Sequence, residues 1–255
     1  SGETAVLHTR HCHHRADDPG NVEGLTHCQF PEQRPENGFG LGFHIVKGVV
    51  LPGEELQRHR AGAFLGGSDL GIHTQHLPFR LGLRPVTVSA QLANLVKTRP
   101  DAQGNPVPCE TWDNALLLCE GEDGAGDRFP MTFEMKRMAP GCTNSVEYEI
   151  DGLKMSARFS TDDPNAVYYT QAVGREQAWA RLVVGQKTLY PVITGGIFEF
   201  GFSDSLLQMF AAYVSELRGL PCEFGCFTPD EALRGHQLLT GALASYTERR
   251  VVELA

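Results

Sequence analysis

Residues 129–160 read FPMTFEMKRMAPGCTNSVEYEIDGLKMSARFS, and the side-chain pattern of this stretch decides the fold class. Phe129, Met131, Phe133 and Met135 occupy every second position, with Thr132, Glu134 and Lys136 between them. Successive side chains of a strand point to opposite faces, so such a strand buries one face and leaves the other polar. SVEYEI (145–150) and LKMSARFS (153–160) alternate likewise, and Asp151-Gly152 between them is a dipeptide that tight hairpins favour. One-sided burial with short turns is the habit of antiparallel sheets.

The same period runs upstream through PVTVSAQLANLV (85–96), where Val86, Val88, Ala90, Leu92 and Val96 share a side. Leu95, opposite Val96, gives that end apolar residues on both faces. Shorter strands are predicted at Val167–Thr170, Ala180–Val184 and Gly196–Phe200. Two helices follow. In SDSLLQMFAAYVSELRG (203–219), Leu206, Phe210, Val214 and Leu217 form an apolar stripe, Ser203 or Asp204 can cap the start, and Gly219 can end it. The next opens with Thr228-Pro229-Asp230-Glu231. Thr228 and Glu231 have capping-box spacing, Pro229 suits the first helical position, and Leu239, Leu243 and Tyr246 supply the buried side. Strands followed by helices predict an α+β fold, an open and mainly antiparallel sheet with helices packed on one face.

Residues 1–60 differ from the rest. Seven of the ten histidines lie there, and the apolar residues keep neither helical nor strand period. HCQFPEQRPENGFGLG (27–42) is rich in turn formers, and residues 1–48 are expected to be largely loop. The division is therefore an irregular segment, 1–60, and an α+β unit, 61–255. His8, His11, Cys12, His13 and His14, with His27 and Cys28, suggest a metal. Adjacent loop residues cannot all converge on one ion, however, and no C-x-x-C is present, so a polar segment without metal is expected. Cys222 and Cys226 are expected to be incidental thiols.

The net charge of −9 argues against a nucleic-acid partner, because phosphate binding needs clustered Lys and Arg. No run of about 18 apolar residues predicts a membrane span. Seven scattered cysteines fit reduced thiols in a cytoplasm better than a disulfide framework. GFGLGF (38–43) lacks the spacing of a dinucleotide fingerprint, and neither a P-loop nor a serine nucleophile elbow occurs. Phe198, Phe200 and Phe202 read as core or sheet-face residues rather than a sugar platform.

The segment that could carry chemistry is GGSDLGIHTQHLPFRLG (66–82). On a helix Asp69, His73 and His76 fall at i, i+4 and i+7 and share a face. An imidazole can take an alcohol proton near neutral pH, and a carboxylate beside it fixes the tautomer and steadies the cation. The plainer alternative is a surface helix with a capping Asp and two solvated histidines. Pro78 predicts a kink, or a helix beginning near Thr74.

From residue 61 onward the sequence resembles the C-terminal domain of the glucose–fructose oxidoreductase, inositol dehydrogenase and MocA family. GGSDLGIHTQHLPFRL resembles the family's lead into an Asp-x-x-x-His helix. RPVTVSAQLANLVKTRP and FEMKRMAPGCTNSVEYEIDGLKMSARFSTDDPN are similar to its strand series. FGFSDSLLQMFAAYVSEL and CFTPDEALRGHQLLTGALASYTERRVVEL look like its two closing helices. The resemblance implies a dehydrogenase using NAD or NADP on a sugar, inositol or related polyol, with the cofactor held mainly by a separate Rossmann domain. It implies His73 as the acid/base, Asp69 as its assistant, a cleft floored by the sheet, and a homo-oligomer formed through the sheet. His76 stands where the family often has a substrate-contacting Asp, and Arg137 and Asn144 match positions near the cleft. The family's Rossmann glycines and its Glu-Lys-Pro segment are missing here. The alternative is a cofactor-free, shortened relative that serves as a binding or oligomeric scaffold.

Overall fold

The computed structural model describes residues 42–50, 65–172, 176–183, 188–194, 198, 200–222 and 225–254, with side chains from Gly71 onward. The alternating segments form the strands β2 (Arg84–Ala93), β5 (Asn114–Glu122), β6 (Arg128–Lys136), β7 (Met138–Asp151), β8 (Met155–Ser160), β9 (Ala166–Gln171) and β10 (Ala180–Val183). Together with β1 (Gly42–Val50) and β11 (Val252–Glu253) they build a nine-stranded sheet in the order β10-β9-β8-β7-β1-β6-β5-β2-β11. The short β3 (Thr98–Pro100) and β4 (Pro106–Pro108) make a separate hairpin. Only β1 against β6 is parallel among the described pairings.

β1 corrects the expectation that residues 1–48 are largely loop. It sits mid-sheet, pairing Phe43–Gly48 with Met131–Lys136 and Gly42–Gly48 with Asp151–Ser145. Its sequence GFHIVKGVV puts Phe43 and Ile45 on one face with Lys47, and His44 on the other with Val46, so no clean alternation marks it. Residues 1–41, with the histidine cluster and most of GFGLGF, lie outside the described residues. In the predicted strand 196–200, Phe198 and Phe200 are described and neither is in a strand.

The buried side of β6 is the one expected: Phe129, Met131, Phe133 and Met135 are each 4% exposed or less. They join Val88, Ala90 and Leu92 of β2 and Leu117 of β5 in one core. Two helices close over this face, α1 (Leu65–Arg80) and α3 (Pro229–Glu248). The capping box of α3 is present as expected, Thr228 Oγ1 accepting from Glu231 N and Glu231 Oε2 from Thr228 N. α1 runs through Pro78 and does not begin near Thr74. The helix ends two residues after this proline, Leu83 N donating to Pro78 O (2.9 Å) with Gly82 at φ 75°.

A third helix, α2 (Phe202–Leu217), is capped by Gly201, whose N–H donates to the Asp204 carboxylate (3.0 Å), and not through Ser203 or Asp204 as N-cap. The apolar stripe expected for it is present, and Leu206, Phe210, Val214 and Leu217 are all exposed.

One close approach fixes α1. A Cβ on Gly71 would stand 2.9 Å from Leu239 Cδ2 and 3.1 Å from Met135 Sδ, so helix, helix and sheet meet there. At the end of β5, the buried Asp113 accepts from Leu95 N (2.7 Å), Val96 N (2.8 Å) and Arg99 Nη2 (2.5 Å). Gly71→Ala is expected to cost about 1–3 kcal/mol in denaturant unfolding, because overpacking outweighs the gain of up to about 1 kcal/mol in helix propensity. Asp113→Ala strands the buried Arg99 cation, and a loss of about 3–5 kcal/mol is expected in the same measurement.

Candidate functional site

α1 turns about 100° per residue, so positions 69, 73, 76 and 80 fall on the side opposite Gly71, Thr74, Gln75 and Pro78. The burial follows this split. Gly71, Thr74, Gln75, Pro78 and Phe79 are buried towards the sheet and α3, whereas His73 is exposed. Asp69 holds its place in the helix one turn before His73, and its carboxylate lies outside the described side chains. The sheet therefore does not floor His73, contrary to expectation. The helix stands between them, and the imidazole faces away from the sheet.

His76 has a different setting. It is half-buried, and its ring stacks on Phe227 at 5.1 Å between centroids and 27° between planes. Burial holds its pKa below the ordinary value of 6.5, Arg80 pushes the same way, and Glu231 opposes them. Arg80 in turn pairs with Glu231 of α3 at 3.2 Å. A ring packed under Phe227 is less available to a ligand than His73, one turn away.

Arg137 and Asn144 are not brought to the exposed face of α1 by any described contact. Arg137 is 1% exposed, between β6 and β7, with its N–H donating to Asp113 O (2.9 Å) and Asn144 is exposed in β7 with φ 81°. Asn tolerates this left-handed conformation better than most residues, which gives it a backbone role where β7 is irregular against β1.

Two grooves open elsewhere. One of about 330 Å3 is lined by Arg84, Glu122, Arg128 and Arg234 between the sheet and α3. Another of about 490 Å3 lies beside Trp179, where Arg158 sits 4.2 Å over the indole and pairs with Glu149. Glu149 and Arg158 are cross-strand partners, on the opposite side of their strands from the core-packed Tyr148 and Ile150. Neither groove includes His73 or His76.

Burial, and then Glu216, raise the Cys226 thiol above its ordinary range, and Tyr190 donates its hydroxyl to Cys222 Sγ at 3.3 Å. Among the described residues no three His, Cys, Asp or Glu side chains are grouped to hold a metal, and no helix is long and apolar enough to cross a membrane.

Comparison with solved structures gives this geometry a context. An oxidoreductase domain protein from Kribbella flavida superposes with TM-score 0.69 at 20% identity, covering 84% of this chain and 59% of its own. The fold is that of the C-terminal part of NAD-binding oxidoreductases. An NAD binding oxidoreductase from Klebsiella pneumoniae gives TM-score 0.68 at 19% identity, covering 85% of this chain and 59% of that one. A levoglucosan dehydrogenase in complex with NADH and L-sorbose gives 0.65 at 15% identity, with 86% and 59% covered. The chain thus spans about three-fifths of the length of these neighbours. No family model and no curated protein sequence matches it.

Sequence reasoning passed over Gln75, Phe227 and Glu231 as members of this region. Gln75 had a signal, since it stands four residues after Gly71 on the apolar side of α1 and is 1% exposed. Phe227 had none, because only tertiary packing brings it onto His76.

The depressed pKa of His76 has a pH signature. The folded chain prefers neutral imidazole, so the unfolded chain binds more protons, and stability falls as pH drops below about 6.5. His76→Leu removes this contribution. The decline of the unfolding midpoint between pH 7.5 and 5.5 is expected to be shallower in the variant than in the wild type.

Proposed function

We propose that this chain is the substrate-binding and proton-transferring part of an NAD- or NADP-dependent dehydrogenase acting on a sugar, inositol or related polyol. The observation that carries this reading is the placement of Asp69 and His73 one turn apart on the exposed side of α1, within a fold shared with NAD-binding oxidoreductases. The described residues do not fit the nucleotide. None of them forms a βαβ unit with parallel strands around a helix, the arrangement that aims backbone N–H groups at a pyrophosphate. The hydride acceptor belongs to another body, and no step through it is assigned to this chain.

The steps that fall to this chain concern a proton. An exposed imidazole on a rigid helix can approach a substrate hydroxyl at hydrogen-bond distance and accept its proton at one ring nitrogen. A carboxylate at position 69 would hold the other ring nitrogen protonated and stabilise the imidazolium. His76, fixed under Phe227 and disfavoured as a cation, would border the substrate as a neutral hydrogen-bonding group. Arg137 and Asn144 are second candidates for substrate contact.

Oligomerisation through the uncovered sheet face belongs to the same reading. That face carries the half-exposed Leu118 and the Trp179–Arg158 groove, which a second copy could cover.

The test is turnover of sugars and cyclic polyols, followed by nicotinamide reduction, in the protein carrying its nucleotide-binding domain. General-base catalysis is worth about 10²–10⁴, so His73→Ala is expected to lose that factor in kcat. A loss below about tenfold, with the variant folded, would remove His73 from the mechanism.

A further inference from the structure

The last residue of α1 places a cation beside its exposed face. Arg80 follows His73 by nearly two helical turns, so both fall on one side of the helix, with His76 between them. Helical side chains lean towards the N-terminus, which sets the Arg80 guanidinium over the turn of His76 and not beyond the helix end. It is held there by a neighbour. Glu231 of α3 pairs with Arg80 at 3.2 Å, and the two side chains are only 11% and 19% exposed.

Glu231 is itself fixed without help from Arg80. Its Oε2 accepts from Thr228 N (2.7 Å), and its own N–H donates to Thr228 Oγ1 (3.2 Å). The start of α3 thus sets the carboxylate and leaves Oε1 for the guanidinium. Phe227, the residue before this cap, lies on the His76 ring. One short segment, Phe227–Glu231, therefore supplies both the apolar cover of His76 and the charge that answers Arg80. Glu231 opposes Arg80 in its effect on His76, and Glu216 opposes it at the Cys226 thiol. Two carboxylates answer one cation.

The balance has a chemical consequence. A guanidinium without an internal partner would draw carboxylates and phosphates, whose geometry it matches with paired hydrogen bonds. With Glu231 in contact that charge is already met, and a ligand anion would approach a carboxylate as well as a cation. His76, disfavoured as a cation, adds no positive charge. Such a face offers hydrogen bonds without net attraction for anions. It suits uncharged hydroxyls.

We infer that Glu231 is a positioning residue that, by holding Arg80, reserves the His73–His76 face for uncharged polyols and turns away sugars bearing a carboxylate or a phosphate. The inference rests on the dehydrogenase reading above and narrows its substrate class.

The experiment uses the complete polypeptide and a matched pair of probes, D-glucose and D-glucuronate, with binding followed through the NMR ring signals of His73 and His76. The wild type is expected to bind glucose about tenfold more tightly than glucuronate, because the pair leaves no charge to spare for the anion. Glu231→Gln keeps the cap, since Gln serves equally in a capping box. That variant is expected to bind glucuronate about tenfold more tightly than the wild type does, with glucose changed by no more than about twofold. Its His76 pKa is expected to fall further below 6.5, burial and Arg80 then acting without the opposing carboxylate. Arg80→Gln added to Glu231→Gln is expected to return glucuronate to its wild-type weakness. Equal binding of the two sugars by the wild type, an unchanged glucuronate affinity in Glu231→Gln, or a gain that persists in the double variant would each overturn the inference and leave the dehydrogenase reading standing. If neither sugar disturbs the two histidines in any variant, that reading fails and the inference with it.

Discussion

The seating of α1 on β6 is the constraint on which the rest depends. At Gly71 the helix comes so near Met135 and Leu239 that an added Cβ would press on the ends of both side chains. That contact fixes the rotation of α1 about its axis, and the rotation alone decides that Thr74 and Gln75 are buried while His73 is exposed. A change of about 100° would put either histidine into the core or turn both aside. Arg80 and Glu231 bind the far end of the same helix to α3, so the position is held at both ends.

Around this anchor the molecule separates structural from exposed polar groups. Asp113 and Arg99 form a buried pair that gathers the ends of β2 and β5, and the carbonyl of Asp113 also receives the N–H of Arg137. Buried charges tolerate little change, because removing one leaves its partner without compensation. The backbone N–H of Arg137 ties the start of β7 to this group, and its side chain is buried. His73 belongs to the other class, exposed on the helix side that faces away from the sheet.

Much of the fold was legible in the sequence because burial writes a period into a strand. Phe129, Met131, Phe133 and Met135 alternate because β6 has one dry face, and Thr228 with Glu231 marks the start of α3 because a helix start has N–H groups to satisfy. β1 was not legible. Lys47 shares a face with Phe43 and Ile45, and the strand's place mid-sheet, between β6 and β7, depends on partners nearly 90 or more residues away. The stripe of α2 was legible as a stripe, and its exposure was not. Periodicity states that a helix has an apolar side but cannot state which body that side meets.

The amino-acid sequence by itself determined the α+β class, the antiparallel series, the capping box of α3 and the spacing that puts Asp69, His73 and His76 on one helical face. These are local properties, fixed by strand alternation, helical pitch and the hydrogen-bonding needs of helix ends. Tertiary structure alone decided that His73 faces away from the sheet, that His76 lies under Phe227 and that α2 turns its apolar side outward. Those outcomes depend on how α1 rotates against Met135 and Leu239 and on which surfaces remain uncovered, and such long-range contacts leave no period in the chain.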